Sequence, residues 1–434
     1  MDARRFALAG VAVALAACSD PVSQPSDAED AAPAVSMAQG RAGDDRVVPG
    51  DVLVGLKEES ALPGMARAYG LTVGDRGPAG SFTILRTRPG NEYAMAATLR
   101  ADSRVAFAEP NYLRQLHTIN PNLWAFRNPG GLNMRFSDTN EPIPASYASV
   151  VDADEDNVEN YAAGGADVVI GSIDTGVDFG HPELSGRLIA GRDWVGNDND
   201  PTDTDGHGTH TTGTMAGTTV GVAGVSGAAA HLRVYVQRVC GPSGCPTSAI
   251  VNAIYAAADY PSLVAMNLSL GGGRESTAEK NAISYAKTKG VLVIASAGNS
   301  GAGKVACPAC DPNAISVSAT NWRDELTPYS QYGKGLDISA PGGQCYSNTT
   351  PEGCIYSSVP GGYDWYQGTS MAAPQVTGTA GIVASKTGLS GAALRTRVET
   401  TSDDKGAAGY DTKFGNGRLN SYRAVTGSSL PAGQ

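Results

Sequence analysis

From residue 168 onward the chain returns again and again to short runs of buried-type residues, over 168–173, 232–236, 263–268, 291–296, 314–318 and 336–338. Most of these runs are nearly continuous in apolar and small residues instead of alternating with polar ones. That is the signature of strands covered on both faces. Helical stretches over 247–260 and 276–289 separate several of them. Strand, helix, strand in succession predicts βαβ units, and so an α/β fold: a largely parallel, doubly wound sheet with helices on both faces and right-handed crossovers. The 55 glycines among 434 residues suit many tight strand-to-helix turns, and a charged fraction of only 17% allows a large core. An open sheet of this kind collects its chemistry at the carboxyl ends of its strands.

Four polar residues stand at such ends or at helix starts. Asp174 closes the first run, in SIDTGVD. His207 lies between Gly206 and Gly208 at the start of the helical stretch HGTHTTGTMAG. Asn299 follows the 291–296 run, in ASAGNSG, and Ser370 sits in GTSMAAP at the start of a Gly/Ala-rich helix. A serine at a helix start, flanked by small residues, is accessible to a substrate carbonyl, and its own N–H faces the charge that develops there. An imidazole can take the serine proton and return it to a leaving amine, and a carboxylate can fix the imidazole's tautomer. Asn299 offers a side-chain N–H that, with the Ser370 amide, would make an oxyanion hole. Taken singly, Asp174 reads as a strand-end carboxylate and His207 as a helix cap; taken jointly, the four read as acyl-transfer machinery.

In this order, Asp, His, Asn, Ser, the four motifs closely resemble those of the subtilisin-like serine peptidases, over roughly 120–425. The resemblance implies a subtilisin-like fold and a serine endopeptidase. It further implies that the edge segment NLSLGG pairs with substrate backbone as an added strand, with Ser269 and Gly271 lining the cleft. Ala297 and Gly298 would wall the pocket for the residue before the scissile bond, and Ala306 would lie near its floor. No acid stands in these stretches, so apolar or aromatic side chains are expected there. The loop 193–203 crowds four carboxylates ahead of His207, where several members of the family bind calcium; Asp193, Asp198, Asp200 and Thr202 are the implied ligands of a structural calcium ion. A second family calcium site is not expected, since the loop GTTVGVAG is short and Glu183 stands after His181-Pro182.

The N-terminal part reads as export and self-inhibition. Arg4 and Arg5 precede an apolar run over 6–17, too short to span a bilayer, which ends in Leu15-Ala16-Ala17-Cys18. This resembles a lipobox, which makes 1–17 a signal peptide and Cys18 a lipidation site; Ser19 after it favours outer-membrane sorting in a Gram-negative cell. Residues 18–46, rich in Ser, Pro, Asp and Ala, are expected to be a disordered tether. Residues 47–117 show short strands with helical stretches between them, a small α+β domain whose ending AFAEPNY resembles that of subtilase inhibitory propeptides. Its cut is expected between Tyr112 and Trp124, taken at 117, leaving a catalytic domain over 118–426 and a tail over 427–434. A lipid on Cys18 would then stay with the propeptide, and maturation would free an exported peptidase from an envelope-tethered zymogen.

Six further cysteines fall in three close pairs, and local bridges 240–245, 307–310 and 345–354 are the simplest of 15 connectivities for an exported chain. Such small loops would pin surface loops more than hold the fold. His117, His181, His210 and His231 read as structural or surface residues. A net charge of −11 argues against nucleic acid or anionic membranes as partners. A monomer acting on protein or peptide substrates, with its own propeptide as inhibitor, is expected. The competing reading is a catalytically silent binding protein on a peptidase scaffold.

Overall fold

The computed structural model describes residues 47–116, 162–218, 221–222, 228–321, 324–345 and 353–427. The export segment, Cys18, the tether, His117 with the 117/118 junction, and residues 428–434 lie outside them. No described helix is long and apolar enough to cross a membrane.

The first described region runs β1 (Val47–Leu56), α1 (Leu62–Tyr69), β2 (Thr72–Arg76), β3 (Thr83–Arg86), α2 (Glu92–Arg100) and β4 (Val105–Leu116). Its strands pair antiparallel in the order β4-β1-β3-β2. Period-two alternation gives β1 two destinations. Val52 and Val54 pack with Leu62, Met65, Leu85 and Leu99, a small core between the sheet and its own two helices. Leu53, between them, joins Phe82 and Ile84 in a different core, one shared with the rest of the chain.

The second region runs β5 (Val168–Asp174), β6 (Leu188–Asp193), α3 (His207–Ala216), β7 (Leu232–Arg238), the two-residue β8 (Cys245–Pro246), α4 (Thr247–Ala258), β9 (Leu263–Leu268), the two-residue β10 (Leu270–Gly271), α5 (Thr277–Thr288), β11 (Leu292–Ser296), β12 (Ala314–Thr320), β13 (Ile338–Pro341), β14 (Ile355–Val359), β15 (Gly362–Tyr366), α6 (Thr369–Thr387), α7 (Gly391–Thr400) and α8 (Ser421–Thr426). Seven strands form one sheet in the order β13-β12-β11-β9-β5-β7-β6, with every neighbouring pair parallel. Val168 and Ile170 of β5 pack with Met215, Val376, Leu394 and Val425, from α3, α6, α7 and α8. Val169 and Ile173 pack with Ile250, Ile254, Ala282 and Ile283, from α4 and α5. Both faces are thus covered, as the apolar runs require.

Two differences from expectation have local causes. The strand expected over 336–338 lies at Ile338–Pro341 instead; β13 is a sheet edge, where a proline without an N–H is tolerated. β6, LIAGRD, and the hairpin β14–β15 carry too little apolar periodicity to be read in advance. The chain fills one side of β5 with β7 and β6, then crosses to the other with β9, β11, β12 and β13. That reversal is a switch point, and it opens at the carboxyl ends of β5 and β9.

Candidate active site

Asp174 ends β5, fully buried at the switch point. His207 is the first residue of α3, after Gly206 in a left-handed conformation (φ +109°) that turns the chain into the helix. The His207 ring meets Asp174 at 2.6 Å, Nδ1 to Oδ1, and both side chains are almost wholly buried. Against a carboxylate acceptor, Nδ1 carries the proton, which leaves Nε2 as the basic nitrogen of the neutral ring. Nε2 is buried and makes no hydrogen bond in this geometry. The Thr175 amide (2.7 Å) and the Thr211 hydroxyl (3.2 Å) also donate to the Asp174 carboxylate. Burial opposes a charge on His207, yet the charge and hydrogen bond of Asp174, with Asp205 and Asp203 behind them, outweigh it and hold its pKa above the ordinary value. His210, one turn along, stacks on Tyr366 and is pushed down to about 3, by burial first and then by His207.

A second carboxylate clamps this arrangement. Asp203, 5% exposed, accepts from the Thr175 hydroxyl (2.9 Å) and the Asp205 and Gly206 amides on one oxygen. Its other oxygen accepts from the amide (2.8 Å) and hydroxyl (2.6 Å) of Thr209. It therefore ties the residue after Asp174 to the first turn of the helix that carries His207. Asp203, Thr175, Thr209 and Thr211 hold the Asp174–His207 pair in place, and the sequence motifs do not single them out. A signal is present all the same, since α3 is buried on every side yet carries six hydroxyl or imidazole side chains in HGTHTTGT, which need partners.

Ser370, also fully buried, is the second residue of α6. Gly368 ahead of it has φ +152° and ψ 164°, a conformation that side chains other than glycine's avoid. Pro374 has no N–H to donate to the Ser370 carbonyl four residues back, and the Ser269 hydroxyl donates to that carbonyl instead (2.8 Å). The Ser370 hydroxyl in turn donates to the Ser269 carbonyl (3.2 Å). Asn299 is held by its carbonyl oxygen, which accepts from the Thr369 amide and hydroxyl at 2.9 Å each. The amide plane is thus fixed with its donor edge turned away from Thr369. A Cβ on Gly378 would come within 2.6 Å of the Met215 carbonyl, so glycine there lets α6 cross α3 closely.

The expected cleft residues assemble as well. Gly271 of β10 pairs with Gln115 of β4 and Leu270 with Leu116, while Cys245 and Pro246 of β8 pair with Arg114 and Leu113. The end of the first region thus lies in the second as a strand between two edges. Ser269 precedes this ladder. The Ala306 amide donates to the Ala297 carbonyl (2.8 Å), and a Cβ on Gly298 would stand 3.0 Å from that of Ala306. These three residues therefore share one wall. Upstream, Glu109 is buried and accepts from Ser276 Oγ (2.5 Å), Thr277 N (2.8 Å) and Ala278 N (3.0 Å) at the start of α5; Asn111 accepts from Ser248 N (3.0 Å) at the start of α4. Both satisfy orphan donors of helix N-termini.

The acidic loop behaves otherwise. Asp193 pairs with Arg238 at 2.6 Å and accepts from the Val195 and Gly196 amides. Asp198 accepts from the Asp200 amide, and Asp200 from both the amide and the hydroxyl of Thr202. Among the described residues, no three acidic, imidazole or thiol groups gather in a way that could hold a metal ion. In this conformation the carboxylates of Asp193, Asp198 and Asp200 serve turn amides, that of Asp200 also the Thr202 hydroxyl, and that of Asp193 a guanidinium. All three expected disulfides are formed, Cys240–Cys245, Cys307–Cys310 and Cys345–Cys354. His181 caps a turn and His231 pairs with Asp167, both structural roles.

The model of the subtilase family matches residues 165–417, and that of the fervidolysin N-terminal prodomain matches 33–111. A thermophilic serine proteinase of Bacillus sp. (strain AK1) is 36% identical over 389 residues, which cover 87% of this chain and 88% of that protein. Thermitase of Thermoactinomyces vulgaris is 39% identical over 264 residues, 61% of this chain and 90% of thermitase. The crystal structure of fervidolysin from Fervidobacterium pennivorans, described as a keratinolytic enzyme related to subtilisin, superposes with a TM-score of 0.68 over 91% of this chain at 24% identity. This chain spans 63% of fervidolysin, and at that identity the likeness concerns the fold.

Proposed function

The chain belongs to the subtilase family and is a subtilisin-like serine endopeptidase with an N-terminal prodomain, and on that premise we propose that Ser370, His207 and Asp174 are its triad and Asn299 its oxyanion donor. The observation that carries this reading is the buried 2.6 Å contact of His207 with Asp174, which orients a ring whose Nε2 is left to act as a base. The Ser370 hydroxyl gives up its bond to the Ser269 carbonyl and passes its proton to Nε2 as Oγ attacks the peptide carbonyl. The oxyanion is met by the Ser370 amide and the Asn299 side chain. Imidazolium, stabilised by Asp174, then protonates the leaving amine, and water repeats the sequence on the acyl-enzyme.

Strand register supports a processing site. Leu116 pairs with Leu270, so the next residue, His117, would fall opposite Ser269, whose carbonyl touches the nucleophile. His117–Thr118 is therefore the proposed bond cut, with 47–117 as propeptide and 118–426 as catalytic domain. Substrates would bind by main chain with apolar or aromatic preference before the cut. With Cys18 lipidated, that cut separates anchor from enzyme. Ser370→Ala tests the assignment: turnover should fall by about a million-fold, as for other triad nucleophiles, and intact mass should show an uncut chain. A Ser370→Ala variant that still processes itself would sink it.

A further inference from the structure

We propose that two of the disulfides, Cys240–Cys245 and Cys307–Cys310, are positioning elements of the substrate cleft, each locking one of the two edges between which the peptide lies. The inference rests on the reading of β8 and β10 as those edges.

Cys245 is itself in β8, the edge that receives Leu113 and Arg114. Continuing the register to a cut after His117, these are the fifth and fourth residues before the scissile bond. Cys240, its partner, lies across a two-residue turn closed by Gly241 and Gly244, which exchange backbone hydrogen bonds of 3.1 and 2.8 Å. The other end of this hairpin is tied to the triad: the amides of Val239 and Cys240 both donate to the Asp174 carbonyl, at 2.8 and 3.1 Å. Both sulfur-bearing residues are almost wholly buried. Without the bridge, a two-residue strand beginning straight after a Gly-Pro-Ser-Gly turn would have little to hold it at a fixed distance from Asp174.

The second bridge repeats the arrangement on the opposite edge. Gly272, the residue after β10, exchanges backbone bonds with Cys307 at 2.7 and 2.9 Å. The Cys310 amide donates to the Ala306 carbonyl (2.9 Å), and Ala306 in turn bonds Ala297. The Cys307–Cys310 turn therefore holds β10 and the Ala297–Gly298–Ala306 wall together. One bridge serves the far end of the bound peptide and the other its near end. Neither joins elements that the hydrophobic cores leave apart, so their effect falls on the cleft.

The two pairs predict separable defects. In the self-processed enzyme, Cys240→Ala with Cys245→Ala should raise KM about tenfold for peptides with five residues before the scissile bond, with kcat little altered and a much smaller effect on peptides with two. Cys307→Ala with Cys310→Ala should raise KM for both lengths and blunt discrimination among side chains before the cut. If a double variant does not fold, the folded wild-type enzyme is treated with a water-soluble phosphine instead. Each bridge reduced yields two thiols and one phosphine oxide, with water supplying the oxygen and the protons; alkylation mapped by mass identifies the pair opened, and the change in KM given for that pair should follow its thiols. Unchanged KM, or an equal loss at both lengths carried by kcat, would overturn the proposal. A wild-type enzyme indifferent to peptide length would instead overturn the reading of β8 as an edge, and the proposal with it.

Discussion

The two sheets of this protein are stabilised in different ways. The parallel sheet around β5 has both faces covered by helices of its own region, α3, α6, α7 and α8 on one and α4 and α5 on the other. The antiparallel sheet of the prodomain covers one face with α1 and α2 and lends the other, through Leu53, Phe82 and Ile84, to the core around α4 and α5. One half is self-sufficient; the other is completed only by its partner. Such an asymmetry supports the proposal that the prodomain is a removable inhibitor. While attached it buries apolar surface and helix ends, and on the proposed cut it would have less reason to stay folded than the enzyme it leaves.

The largest effect expected from this difference is at Leu53, which is fully buried in the shared core. Leu53→Asp would place a carboxylate between the prodomain and α4 or α5, at a cost of roughly 4 kcal/mol or more. Recovery of folded, processed enzyme should fall at least tenfold. Restoring recovery by supplying a wild-type prodomain in trans would locate the defect in docking, whereas normal recovery from the Leu53→Asp chain would break the comparison. A smaller effect is expected at Glu109, whose carboxylate accepts three donors at the start of α5. Removing it as Glu109→Ala leaves those donors unpaired at about 1–3 kcal/mol, equivalent to inhibition by the prodomain roughly 5- to 150-fold weaker. Inhibition kinetics with the isolated variant segment would measure it, and an unchanged inhibition constant would count against the capping role.

Much of the catalytic half is legible in the sequence because its signals are local. Asp174, Asn299 and Ser370 each adjoin a run whose periodicity announces the element, and a glycine stands within two residues of each. What escapes depends on contacts across the fold. Asp203 reads as one more acid in a crowded loop until Thr175, 28 positions earlier, and the start of α3 are folded onto it. Asp193 likewise meets Arg238, 45 positions later, a partner that the crowded loop does not disclose in sequence. The prodomain's shared face is hidden likewise: Leu53 and Val54 are both apolar, and only the fold tells which core each enters.

The smallest predicted effect sharpens the comparison from the catalytic side. If that half is self-sufficient, the electrostatics of its base should be its own. The groups that raise His207 are Asp174, Asp205 and Asp203, against burial and with neutral His210 nearby; none of these belongs to the prodomain. As the proposed base, His207 must be neutral to accept a proton, so kcat/KM should fall as pH drops through its raised pKa, placing the acid limb above the ordinary histidine value of 6.5. Asp205 accepts from the His207 amide at 3.3 Å and stands at the exposed rim, where its charge is partly screened. Asp205→Asn removes a charge that favours imidazolium, so the limb should move to lower pH. The same displacement should appear in the imidazole resonances of an uncut chain carrying Ser370→Ala. A limb that stays put, or a displacement found only after the prodomain has left, would mean that the inhibitor helps set the base it blocks.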